Sequence, residues 1–157
     1  MLYEQKPLNT RIKYQYRDGA NYKAFGDMIL AGALLESEIN EIFGRTVDDG
    51  CGPMFIPGQV GLRDLQDSFG VNNAEWHEEY DHIWHELDAI EWTDKMPDQG
   101  LPSARDVLER FRQVKWDENY LPPFHAELAK RRADTIAREE AELDGNEDPI
   151  SNPASAP

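Results

Sequence analysis

Thr10-Arg11-Ile12-Lys13-Tyr14-Gln15-Tyr16-Arg17 alternates without a break, and Asp18-Gly19 follows at once. Ile12, Tyr14 and Tyr16 fall on one face of an extended chain, while Arg11, Lys13, Gln15 and Arg17 fall on the other. Period-two alternation of this kind marks a strand with one face on a core and one in water. Asp18-Gly19 is a turn signal, because glycine accepts positive φ without steric cost. The apolar run from Phe25 to Ala31, ending at Gly32, then reads as the partner strand of a hairpin whose loop spans residues 18–24.

Outward from this hairpin the period changes. Leu35, Ile39, Ile42 and Phe43 mark a helical stripe within residues 34–45. Asp48-Asp49-Gly50 closes it, Met54-Phe55-Ile56 reads as a short strand, and Pro57-Gly58 stops that strand. Leu62, Leu65 and Phe69 fit one or two helical turns, and Asn72-Asn73 signals a loop. Residues 76–92 are readable two ways. As a helix, the first half aligns His77, Asp81 and His85; as a strand from His82, the segment places Trp84, Glu86, Asp88, Ile90 and Trp92 on one face. Its β-friendly residues favour the strand.

Asp94 to Pro102 reads as a linker and a subdomain boundary. Ser103 with Asp106 resembles a helix cap opening a stripe of Val107, Leu108, Phe111 and Val114. Pro122-Pro123 starts a longer, highly charged helix with only Phe124, Leu128, Ile136 and Leu143 as large apolar residues. The expected fold is therefore α+β: a small antiparallel sheet with one or two packed helices over residues 10–95, a helical extension over 102–143 and a disordered tail over 144–157.

The motifs in combination resemble a group of small bacterial proteins, some encoded near phage or mobile-element genes. They are Tyr16-Arg17-Asp18-Gly19 with Asn21-Tyr22-Lys23, Phe55-Ile56-Pro57 with Gln59-Val60-Gly61-Leu62, and Asp81-His82-Ile83-Trp84-His85-Glu86. The resemblance covers residues 10–95 and brings no activity, cofactor or catalytic residue with it. Tyr80 stands where a second acid is expected before Asp81, and helices are added after residue 100. Those additions imply a function particular to this member.

Charge is the strongest compositional feature. The 157 residues carry a formal net charge of −15, and the excess is concentrated. Residues 1–25 hold five basic and two acidic side chains, residues 26–100 three and seventeen, and residues 101–157 eight and twelve. Such a surface repels phosphate backbones, so direct binding of nucleic acid is disfavoured and a protein with a basic surface is the expected partner. The single cysteine, Cys51, excludes an internal disulfide and a cysteine-rich zinc site. No run approaches the eighteen or so apolar residues of a membrane span, and no basic-then-apolar leader is evident, so no membrane contact and a cytoplasmic location are expected.

Four groups of residues are candidates for function. His77, Asp81, His82 and His85, with Glu86 beside them, combine imidazole and carboxylate as divalent-metal sites do. The spacing is not His-Glu-x-x-His, and the competing reading has these histidines bonding nearby backbone or tyrosine hydroxyls. Acid–base pairing of Glu86 with His85, or Asp81 with His82, is opposed by geometry, because neighbours on a strand point to opposite faces. Arg17, Tyr22 and Lys23 form a candidate contact turn, against plain hairpin chemistry. Asp81, Glu86, Asp88 and Glu91 are the core of an acidic surface, against simple solubility.

No nucleophile elbow, phosphate-cradling loop or dinucleotide fingerprint is present. The expectation is a non-enzymatic binding protein without a cofactor, acting through its acidic surface. Its sharpest form is a nucleic-acid-mimicking inhibitor of anti-restriction or anti-CRISPR type, or an antitoxin or immunity protein. Self-association through the C-terminal helices is expected as an addition. The alternative is a small metal-dependent enzyme using the cluster from His77 to Glu86.

Overall fold

The computed structural model describes residues 8–48, 50–66 and 82–146. Five antiparallel strands form one sheet: β1 (Asn9–Arg17), β2 (Lys23–Leu30), β3 (Val47–Asp48), β4 (Pro53–Phe55) and β5 (His85–Thr93), in the order β2-β1-β5-β4-β3. With helices α1 (Glu36–Gly44), α2 (Ala104–Gln113) and α3 (Pro123–Asn146), this is the α+β class. The opening alternation behaves as read: Ile12, Tyr14 and Tyr16 are buried, and Arg17 is exposed. Arg17 pairs with Lys23, so the hairpin loop is residues 18–22, shorter than the span expected. Asp18 shapes it, its backbone N–H donating to the Tyr22 carbonyl (3.0 Å) and its carboxylate accepting from the Tyr22 N–H (2.8 Å).

One face of the sheet carries the core. Tyr14 meets Phe55 edge-on at 5.2 Å, Phe55 stacks on Phe111 of α2 at 5.9 Å, and Phe111 meets Trp116 at 5.8 Å. Rings in such offset and edge-on arrangements gain somewhat beyond the area they bury. On α1 the inward stripe is Ile39, Ile42 and Phe43, with Leu34 buried just ahead of the helix and Leu35 exposed. Leu35, expected in the stripe, sits instead at the helix N-cap, where its N–H donates to Glu38 Oε1 (3.0 Å) and its side chain points to solvent.

Ser103 caps α2 as its sequence indicated, its hydroxyl accepting from the Asp106 N–H (3.1 Å). Val107, Leu108 and Phe111 of that helix lie in the same core as the strands. Residues 94–102 are therefore not a domain boundary: the break falls between Pro122 and Pro123. Burial of three large side chains of α2 against the sheet outweighs the Pro/Gly punctuation that suggested a linker. Two ion-pair clamps tie α2 to α1, Arg105 to Glu38 (2.8 Å) and Arg112 to Glu41 (2.9 Å). The second unit contains α3, whose described side chains from Ala133 to Gly145 are exposed. That helix runs through Asp144 to Asn146, where a disordered tail was expected to begin; the remainder of that tail lies outside the described residues. Among the described residues no helix is long and apolar enough to cross a membrane.

Candidate functional site: the outer face of the sheet

The central strand β5 departs from simple alternation. Lys13 pairs with Ala89 but Tyr14 pairs with Leu87, so Asp88 is an extra residue, a β-bulge. A bulge changes which side chains face the core without ending the strand. Before it, His85 and Leu87 point inward; after it, Ile90 does, while Trp92 stands opposite Thr10 and donates its indole N–H to the Leu34 carbonyl (2.7 Å). The expected common face of Glu86, Asp88, Ile90 and Trp92 is thereby corrected. Glu86 shares a face with Glu91 rather than with Ile90.

The consequence is a row of acids on the outer face. Glu86 stands opposite Gln15 and accepts from its Nε2 (2.7 Å); Glu91 stands opposite Arg11 and pairs with Lys13 (3.5 Å). Asp88, at the bulge, is exposed and makes no ion pair among the described residues. Beside this row, Arg11, Lys13 and Arg17 of β1 form a basic stripe, and Arg11 holds Asp27 of β2 through two hydrogen bonds, Nε to Oδ1 at 2.7 Å. That guanidinium draws the Asp27 carboxyl below the usual carboxylate range. Pairs this exposed contribute little to stability and are best read as surface pattern.

Phe25 lies on the same face, 74% exposed although it belongs to a strand. It borders a shallow depression of about 240 Å³ together with Lys13, Gln15, Asp27 and Asp88. Behind the depression, on the core side of the sheet, a Cβ at Gly26 would stand 3.0 Å from Leu65 Cδ2. At the hairpin end Arg17 and Lys23 are cross-strand partners, both exposed, with Tyr22 exposed beside them. The residues of the expected contact turn are thus brought together on the margin of this face.

The histidines are used differently. His85 is fully buried; its Nε2 accepts from the Leu65 N–H (3.0 Å), which leaves Nδ1–H to donate to the Ile83 carbonyl (3.0 Å). Burial pushes its imidazole down to about 3, and the neighbouring His82 adds to the lowering. His82 Nδ1 accepts from the Trp84 N–H (3.1 Å), and its Nε2 faces the Arg17 carbonyl at 2.6 Å. Both rings thus give both nitrogens to backbone groups, and neither presents a lone pair outward. His77 and Asp81, the other members of the expected cluster, lie outside the described residues, as does Asp81 as part of the acidic surface. Among the described residues no three His, Cys, Asp or Glu side chains converge as metal ligands would.

Of the outer-face residues, Lys13, Gln15, Phe25 and Asp27 were not singled out from sequence. The open face of β1 follows from its alternation, but that of β5 does not, because the bulge at Asp88 resets its parity. No protein-family model, curated protein or solved structure matches the chain.

Proposed function

We propose that this chain is a non-enzymatic binding protein that holds a protein of basic surface against the outer face of its sheet. The observation that supports this reading is the bulge at Asp88, which gathers Glu86, Asp88 and Glu91 on one face beside the exposed Phe25. An apolar anchor rimmed by charges is the usual anatomy of a contact surface. The net charge of −15 supplies long-range attraction toward a basic partner and speeds encounter. In its sharpest form the partner is a nucleic-acid-binding enzyme or toxin. The carboxylates would then take the place of phosphates in its groove, as an anti-restriction, anti-CRISPR, antitoxin or immunity protein does.

Affinity capture from host lysate at low and high salt, followed by mass spectrometry, tests the reading. A basic protein is expected at low salt, reduced at high salt, and reduced again by the combined variant Glu86→Gln, Asp88→Asn, Glu91→Gln. Capture that ignores both salt and these substitutions would remove the outer face from consideration. Stoichiometric metal in untagged protein, with no partner captured, would favour the metal-dependent enzyme instead.

A further inference from the structure

The edge of the sheet at β2 carries an inference that does not depend on which protein occupies the outer face. Ile29 shows which way the backbone of this strand points. Its N–H donates to Asp98 Oδ2 (2.9 Å) and its carbonyl accepts from the Asp98 N–H (2.9 Å), both on the side away from β1. In an antiparallel ladder alternate residues direct their N–H and C=O to the same side. Lys23, Phe25 and Asp27 therefore present theirs outward too. Among the described residues, no backbone or side-chain group bonds to those outward backbone groups. Asp98 closes the edge at Ile29, and among the described residues nothing closes the stretch from Lys23 to Asp27.

That stretch, Lys23-Ala24-Phe25-Gly26-Asp27, reads the same in charge from either end after sign reversal. We propose that two copies of the chain pair antiparallel through this edge, about a two-fold axis at Phe25, and join their sheets into one. In that register Lys23 faces Asp27 of the second copy at both ends and the Phe25 rings lie side by side at the centre. Each of the facing pairs Lys23–Asp27, Phe25–Phe25 and Asp27–Lys23 exchanges two main-chain hydrogen bonds. On the core side the facing residues are Ala24 and Gly26, too small to obstruct approach. Parallel pairing in register would set Lys23 against Lys23 and Asp27 against Asp27, so the charge order selects the antiparallel, isologous form. Lysine on an edge strand ordinarily guards against pairing; here its opposite number is an acid, and the guard becomes a selector for a second copy. The exposed Phe25 gains an apolar neighbour there.

Sedimentation velocity on the full chain tests this, at an ionic strength near 0.15 M, where a Debye length of about 8 Å suppresses repulsion between two strongly negative molecules. Wild type is expected to shift from monomer to dimer between micromolar and millimolar concentration. Lys23→Asp alone and Asp27→Lys alone should each stay monomeric, because each sets like charges opposite at both ends. An equimolar mixture of the two should dimerise, since every facing pair is then complementary. Asp27→Lys also removes the partner of Arg11, so amide exchange of wild type is the companion measurement. At dimer concentrations the Lys23, Phe25 and Asp27 amides should slow by at least about tenfold, while those of Ala24 and Gly26, already bonded to β1, should not change. A wild type monomeric throughout, a dimer indifferent to either single swap, or a mixture that stays monomeric would each overturn the pairing. A monomeric wild type that still captures a basic partner refutes the edge and spares the binding reading; a dimer that captures nothing does the reverse.

Discussion

His85 carries a ring that a sequence reader assigns to chemistry and that the fold spends on architecture. Its two nitrogens join residues 65, 83 and 85 through backbone groups that would otherwise be buried without partners. An unsatisfied buried group costs about 1–3 kcal/mol, so a neutral imidazole with one donor and one acceptor is well matched to the place. The protonated form is not, since a second N–H would face the Leu65 N–H. A pH dependence follows. The unfolded chain takes up a proton near the ordinary histidine value of about 6.5, whereas the folded chain holds His85 neutral down to about 3. The stabilisation is complete above the unfolded value and falls away as pH drops through that window, by about 1.4 kcal/mol per pH unit. The carboxyls of Asp27, Glu38 and Glu41, lowered by Arg11, Arg105 and Arg112, lose their contribution in the same direction but at lower pH. In NMR the His85 ring signals should therefore stay constant from neutral pH down to the onset of acid unfolding. A titration at the ordinary value in the folded protein would contradict the burial and the tautomer together.

Among the elements, β5 shows how one residue decides a surface. Strict alternation from His82 would have set Glu86 and Asp88 with Ile90, and Glu91 on the opposite side. The extra residue at Asp88 resets the parity, keeps His85, Leu87 and Ile90 on the core and gathers the acids outside. Removing Asp88 should then leave a regular strand with the same inward residues. Its deletion is expected to preserve the far-UV spectrum and cooperative unfolding, with a loss within about 2 kcal/mol in urea titration. Deleting Glu91 should cost more, because it turns Trp92 to the opposite face and breaks its bond to the Leu34 carbonyl. Equal destabilisation by the two deletions would mean that Asp88 is a structural member of the ladder rather than an insertion into it. The bulge left no mark in the hydrophobic pattern that could be separated from a change of element. The competing helical reading of residues 76–92 arose from the segment's ambiguous periodicity.

At the scale of the molecule the chain divides at Pro122. Among the described residues the buried hydrophobic side chains of the core fall between Ile12 and Phe111, and α3 presents an exposed, charged surface over its described side chains. A chain ending at Pro122 is accordingly expected to unfold cooperatively with a stability within about 0.5 kcal/mol of the full chain, the range of ordinary surface changes. Calorimetry of both forms checks it; a large fall in the melting temperature would show that α3 takes part in the core. The same comparison separates two routes to self-association, because pairing at β2 survives the truncation and association through the C-terminal helix does not.

Local pattern sufficed for β1, for the presence of its hairpin with β2, for the cap of α2 and for the α+β class, because alternation and Ser-x-x-Asp act through residues close in sequence; within the hairpin turn the left-handed residue is Asn21 rather than Gly19. The charge of −15 and its concentration in the middle of the chain were likewise legible at once. Long-range packing decided the rest. Burial of Phe111 against Phe55 drew α2 into the first unit across an apparent linker. The Leu65 N–H claimed the acceptor nitrogen of a candidate metal ligand, and pairing with β1 fixed Asp88 as the bulge. Each of these depends on partners that sequence separation keeps out of sight, whereas the water-facing side of β1 followed from its alternation alone.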